Sequence, residues 1–96
     1  MKQLSFEWDE KKNQKNQWKH RISFEEAVTV FLDEEAIVIP DEDHSEYEER
    51  FLILGISRKL NLLVVCHCIR EQEGVIRIIS ARHATKTEIR QYQRGL

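Results

Sequence analysis

Three apolar runs, Arg50–Ile56, Leu62–Ile69 and Val75–Ala81, crowd the second half of this chain with only short polar turns between them. Spacing that tight admits hairpins but no crossover helix. The runs therefore read as an antiparallel meander joined at Ser57-Arg58-Lys59 and at Glu71-Gln72-Glu73-Gly74. Arginines are built into it: Arg50 opens the first run, Arg70 follows the second, and Arg77 and Arg82 mark the third. A guanidinium in a half-buried strand needs an anionic partner. That partner is a carboxylate of the same fold or a phosphate of a ligand, and the choice between them decides what the chain does.

The remaining elements can be placed around the meander. Leu4, Phe6 and Trp8 alternate with polar residues as in a strand with one buried face. Asp9 is a natural N-cap for a polar helix from Glu10 to about Lys19, acidic at its start and basic later, as the helix dipole favours. Trp18 is almost its only apolar residue, which places this helix on the surface as a partner-binding or RNA-facing element. Ser23 and Glu26 have capping-box spacing, and Phe24, Ala27, Val28, Phe31 and Leu32 mark the buried face of a second helix. Ala36 to Ile39 forms a short strand stopped by Pro40, and Thr85 with Glu88 caps a last helix packed through Ile89 and Tyr92. The order β-α-α-β-β-β-β-α describes an α+β fold over residues 1–96: an antiparallel sheet, two N-terminal helices and one C-terminal helix. A chain of 96 residues has little room for a second core.

Composition narrows the class. With 41% hydrophobic and 33% charged residues the chain is expected to be globular, and its longest apolar run, Leu62 to Cys66, is far too short to span a membrane. The N-terminus lacks the pattern of a secretory signal, so a cytoplasmic protein without a membrane association is expected. Cys66 and Cys68 lie two apart in a strand, on one face, and read as reduced core thiols. Alternation turns His67 away from both sulfurs, which argues against a zinc site and for a chain with no metal or cofactor. The net charge of −2 conceals an asymmetry: residues 1–49 hold 6 Lys/Arg against 14 Asp/Glu, residues 50–96 hold 9 against 3. Either the second half presents a basic surface or the halves neutralise each other across the fold.

Strand arginines, a histidine and carboxylates suit one reaction in particular. In RNA cleavage the 2′-hydroxyl attacks its own phosphodiester, so the protein supplies only a base, cations for the phosphorane and a donor for the leaving oxygen. Guanidinium keeps its charge at any working pH and binds two phosphate oxygens at once. His67 lies on the strand beside the arginine-bearing one. It is read either as an acid or base within reach of Arg77 or Arg82, or as an ordinary sheet histidine.

The pieces Phe6-Glu7-Trp8-Asp9, Lys12, Asn16, Lys19-His20, Ser23-Phe24-Glu25-Glu26-Ala27, His44-Ser45, Glu49-Arg50-Phe51, Gly55, His67, Arg70, Arg77-Ile78-Ile79-Ser80-Ala81-Arg82, Glu88 and Tyr92 occur in an ordered set along nearly the whole chain. In that order and spacing the chain resembles the BrnT toxins of bacterial type II toxin–antitoxin operons, relatives of the RelE-like ribonucleases. The resemblance implies a RelE-like sheet-and-helix ribonuclease that arrests translation without a metal. It implies a BrnA-like antitoxin partner with a ribbon-helix-helix domain, an RNA substrate, and operator DNA bound only through the antitoxin complex. It carries Arg50, His67, Arg77 and Arg82 over as catalytic candidates, and Arg70, Lys19 and His20 as RNA-binding ones. Two positions depart from the family's pattern: Arg21 stands where Gly commonly follows Lys-His, and Leu60-Asn61 stands where Gly-Arg is common. A non-glycine residue in a left-handed conformation costs about 1 kcal/mol. The alternatives are an inactive toxin homologue that binds antitoxin and tunes repression, and a structural reading in which internal ion pairs hold every strand arginine.

Overall fold

The computed structural model describes residues 4–44, 48–70 and 74–95. Strand β1 (Ser5–Glu7) leads into helix α1 (Glu10–His20), then helix α2 (Phe24–Thr29), which tightens into a 3₁₀ turn, Val30–Leu32. Strand β2 (Ile37–Pro40), a 3₁₀ turn at Glu42–His44, strands β3 (Arg50–Ile56), β4 (Leu62–Arg70) and β5 (Val75–His83), and helix α3 (Lys86–Arg94) follow. The element order is the one read from the sequence, although the turn at 71–73 lies outside the described residues. The sheet runs β1-β5-β4-β3-β2. Strands β2 to β5 pair antiparallel in chain order, β3–β4 and β4–β5 as their short turns require. The sheet is nevertheless mixed, because β1 joins β5 in parallel, Ser5 opposite Val75 and Glu7 opposite Arg77. The partners are remote in sequence, so no turn constrains their direction.

Register assigns every side chain to a face. On the first face Phe51, Ile53 and Gly55 of β3 stand opposite His67, Val65 and Leu63 of β4. Ile76, Ile78 and Ala81 of β5 continue that face. It packs against Ile22, Phe24, Ala27 and Val30 to form the core. Gly55 is required here, since a Cβ would come within 2.9 Å of Val30 Cγ1 and 3.0 Å of Ala36 Cβ. Phe24 and Ala27 of α2 and Val30, where the chain tightens into the 3₁₀ turn, lie at three-residue spacing on this face. Val30 is therefore buried and Leu32, predicted to be inside, is exposed.

Helix α1 docks through amides instead of an apolar stripe. Asp9 caps it, accepting from Lys11 N and Lys12 N, and these bonds hold its carboxyl below the usual range. Its buried residues are Asn13 and Asn16. Asn13 Oδ1 accepts from Phe24 N at 2.9 Å. Asn16 Nδ2 donates to the carbonyls of Ile22 and Ala81, both at 2.9 Å, while its Oδ1 accepts from Ala81 N at 3.1 Å. Donating to and accepting from the same residue, this side chain replaces a neighbouring strand at a point on β5 beyond the end of β1. On α2, Ser23 Oγ accepts from Glu26 N, but the Glu26 carboxylate turns to Ser57 Oγ at 2.6 Å and Asn61 Nδ2 at 2.8 Å, tying the helix to the β3–β4 hairpin.

Helix α3 lies across the second face, where its residues wall a cleft of about 480 Å³ with Ile37, Ile39, Leu52, Leu54 and Val64. Thr85 and Glu88 form the expected capping box. Glu88 also accepts two hydrogen bonds from Arg82, at 2.8 and 3.0 Å, and Tyr92 donates to Asp33 Oδ2 at 2.6 Å. Among the described residues the non-glycine positions with positive φ are Arg21 (62°) and Leu60 (66°), the two places where the resemblance leads one to expect glycine. Each carries the αL strain that a glycine would relieve.

Two outcomes follow from these anchors. Asn16→Ala leaves the buried backbone groups of Ala81 and the Ile22 carbonyl without their side-chain partner and should cost about 2–4 kcal/mol in urea unfolding; a loss under about 0.5 kcal/mol would contradict the strand-replacement role. Glu88 titrates at about 2 in the folded chain against an ordinary 4.5, chiefly because Arg82 hydrogen-bonds its charged form. Its contribution to stability is present in full above pH 4.5 and is lost as the pH falls toward 2. Glu88→Gln should therefore lower stability at neutral pH and flatten the decline over that window; superimposable acid limbs for the two proteins would contradict it.

Candidate active site

Arg77 and Arg82 are five residues apart, and strict alternation would send them to opposite faces. The β4–β5 register prevents this: Cys66 pairs with Ser80, the next residue His67 pairs with Ile78, and Ile79 is passed over as a bulge. Both arginines thus emerge on the second face. Arg77 stands opposite Cys68, which stands opposite Arg50, while Arg82 stands opposite Val64. Arg70, two residues beyond Cys68 on β4, shares the face. A cavity of about 260 Å³ opens there, lined by Asp41, Arg50, Leu52, Cys66, Ile79, Ser80 and Arg82.

The arginines also meet carboxylates. Arg70 lies 3.1 Å from Glu7, and Arg77 lies 4.0 Å from that same residue's other oxygen. Arg50 lies 3.8 Å from Glu48, and Arg82 is held two-pointed by Glu88. The face is a lattice of guanidinium and carboxylate in which Glu7 serves two cations. Cys66 and Cys68 lie beneath it, with thiols pushed up to about 11, first by burial and then by Asp41 for Cys66 and by Glu48 for Cys68. Both stay protonated at neutral pH and are poor nucleophiles. Among the described residues no group of three or more His, Cys, Asp or Glu could hold a metal ion.

His67 is not part of this face. It stands opposite Phe51 and Ile78 on the core side, is 1% exposed, and meets the Phe31 ring edge-on at 4.9 Å between centroids. Its Nδ1 lies 3.2 Å from the Val65 carbonyl oxygen, and burial lowers its pKa, leaving a neutral core imidazole. The expectation that it lay within reach of Arg77 or Arg82 on a shared surface is corrected by register. Alternation separates His67 from the sulfurs of Cys66 and Cys68, and the arginines lie on the sulfur side.

A different histidine lies near enough to Arg82 to feel its charge. The Asn16–Ala81 bonds hold the last turn of α1 against the end of β5, and His20 is the half-buried residue of that turn. Desolvation lowers its pKa first, followed by the positive charges of Lys19, Arg82 and His83. Its imidazole is therefore neutral at physiological pH and able to accept a proton. Lys19 is exposed beside it. His83, which sequence reasoning passed over, joins this group; its only signal was its place directly after Arg82 at a strand end. Arg82 is the member common to the arginine face and the helix end.

Residues 8–88 match the family described as the ribonuclease toxin, BrnT, of type II toxin-antitoxin systems. Among solved structures, the crystal structure of the Brucella abortus ribonuclease toxin BrnT superimposes with a TM-score of 0.66 at 24% identity, covering 88% of this chain and 100% of that one. No curated protein matches the chain at a significant level. The structural likeness shows a shared fold, and the family match extends from Trp8 through Glu88, across α1, the whole meander and the Arg82–Glu88 pair. The chain belongs to the BrnT family of ribonuclease toxins of type II toxin–antitoxin systems.

Proposed function

We propose that this chain is a RelE-like, metal-independent endoribonuclease of the cytoplasm that arrests translation and is neutralised by a BrnA-like ribbon-helix-helix antitoxin, with operator DNA bound only through that complex. The observation that carries this reading is the family match over residues 8–88. Among the described residues no helix is long and apolar enough to cross a membrane. Arg82 takes the scissile phosphate, with Arg50 and Arg77 as further cations on the same face and Arg70 and Lys19 binding the RNA strand. His20 replaces His67 as the base, because a neutral imidazole beside a guanidinium can take a proton whereas His67 is enclosed by Phe31 and Phe51.

In this scheme the 2′-hydroxyl gives its proton to His20 while its oxygen bonds to phosphorus. The arginines stabilise the charge that gathers on the phosphorane oxygens. The P–O5′ bond then breaks, leaving a 2′,3′-cyclic phosphate and a 5′-hydroxyl that takes a proton from the protonated imidazole or from water. A phosphate entering the site competes with Glu88 for Arg82, so substrate binding and the anchoring of α3 are linked. The second reading, an inactive homologue that binds antitoxin and tunes repression, is favoured by a specific observation: Arg50, Arg70, Arg77 and Arg82 all already meet carboxylates.

Cleavage of RNA in the presence of a chelator, alone and with ribosomes, tests the reading. Arg82→Ala should lower the rate by a factor of about a hundred to a thousand, and Arg82→Lys should also be impaired because an ammonium lacks the planar two-point donor. His20→Gln should fall by about a hundredfold or more, whereas His67→Phe, if folded by circular dichroism, should keep most of its activity. Wild-type rates in folded Arg82→Ala would remove Arg82 from the mechanism. Absence of cleavage by the wild type under all these conditions would favour the inactive homologue.

A further inference from the structure

Helix α1 presents solvent with a face of which only Lys19, at its end, has a place in the proposed RNA site. Lys11, Lys15, Trp18 and Lys19 recur at four-, three- and one-residue steps and occupy one side of the helix, opposite Asn13 and Asn16. All four are exposed, and Trp18 is 76% exposed. The sole acid of the helix, Glu10, is engaged locally, accepting from Trp8 Nε1 at 3.0 Å and from Asn13. Among the described residues none of these lysines forms an ion pair. Trp18 is also the lone apolar residue of the helix, so the helix itself offers no apolar patch of the kind a protein partner buries at the centre of an interface.

We propose that this face is a binding track for single-stranded RNA, in which Trp18 stacks on a base and Lys11, Lys15 and Lys19 follow the phosphates. A cationic groove or stripe combined with an exposed aromatic ring is how sequence-tolerant single-strand binding is built. Position supports the assignment. Lys19 adjoins His20 in sequence and lies on Trp18's side of the helix, whereas His20 itself, two residues on from Trp18, is turned about 200° to the docked side; Lys11 lies about 10 Å back from Trp18 along the axis. A strand leaving the Arg82–His20 cluster therefore rounds the helix over Lys19 before it meets Trp18, and reaches Lys15 and Lys11 afterwards. The proposal rests on RNA being the substrate and adds where the strand outside the scissile step is held.

The test is binding of a fluorescently labelled 2′-O-methyl oligoribonucleotide of about ten nucleotides, which lacks the attacking hydroxyl and cannot be cleaved. By fluorescence anisotropy, Trp18→Ala should weaken binding about 5- to 150-fold at fixed salt, while Trp18→Phe keeps most of it. Each of Lys11→Gln and Lys15→Gln should reduce the slope of log affinity against log salt by about 0.7. The side chains are exposed, so an unchanged melting temperature is the control. Binding by Trp18→Ala as tight as the parent's overturns the proposal, as does a Trp18 dependence seen only with a protein partner. The catalytic reading is judged separately: oligonucleotide binding through Trp18 without any cleavage keeps this track and removes the ribonuclease activity, whereas active enzyme indifferent to Trp18 does the reverse.

Discussion

An asparagine side chain acts as a missing strand in this protein. β1 pairs with only the first three residues of β5, so further along β5 the backbone of Ala81 would be left without a partner. Asn16 supplies one, donating to and accepting from Ala81 while also donating to the Ile22 carbonyl. The same bonds fix where α1 ends. A helix with no apolar stripe has little hydrophobic reason to sit in one register on a sheet, and directional amide bonds provide that register instead. His20 comes within range of the Arg82 charge as a consequence. The polar character of α1 thus reflects how it is docked and leaves its outer side clear for Lys11, Lys15, Trp18 and Lys19.

The second constraint is the bulge at Ile79. Without it the strand between Arg77 and Arg82 would place one guanidinium in the hydrophobic core, at a cost no partner there offsets. With it, Arg50, Arg70, Arg77 and Arg82 share a face that Glu7, Glu48 and Glu88 partly neutralise. Such a lattice keeps arginines extended and ordered at low desolvation cost, ready to exchange a carboxylate for a phosphate. It also couples α3 to the site, because Glu88 caps the helix and pairs with Arg82 at once.

The element order, the caps at Asp9, Ser23 and Thr85, and the arginine-bearing meander were readable because each has a local pattern: alternation, capping spacing or a short turn. The parallel pairing of β1 with β5 was not, since nothing local links strands so remote in sequence. The bulge carries no glycine or other marker; Arg77-Ile78-Ile79-Ser80-Ala81-Arg82 requires one only if both arginines are to share a face. Val30 replaced Leu32 in the core because a 3₁₀ turn changes the helical period, which a residue pattern consistent with an α-helix conceals. His67 was drawn toward the arginines by proximity in sequence, although its parity already separated it from Cys66 and Cys68. Asn13 and Asn16 were legible only as polar residues three apart on a helix lacking any other means of attachment.

All of this converges on the ionisation of one imidazole. If Asn16 holds the end of α1 against β5, His20 sits among Lys19, Arg82 and His83 and titrates below its ordinary 6.5. An NMR pH titration of the histidine side chains, with His20 assigned by comparison with His20→Gln, measures this directly. The account predicts a midpoint below 6.5 in the wild type that moves up toward it in Asn16→Ala. A wild-type midpoint at or above 6.5, or one indifferent to Asn16, would contradict it.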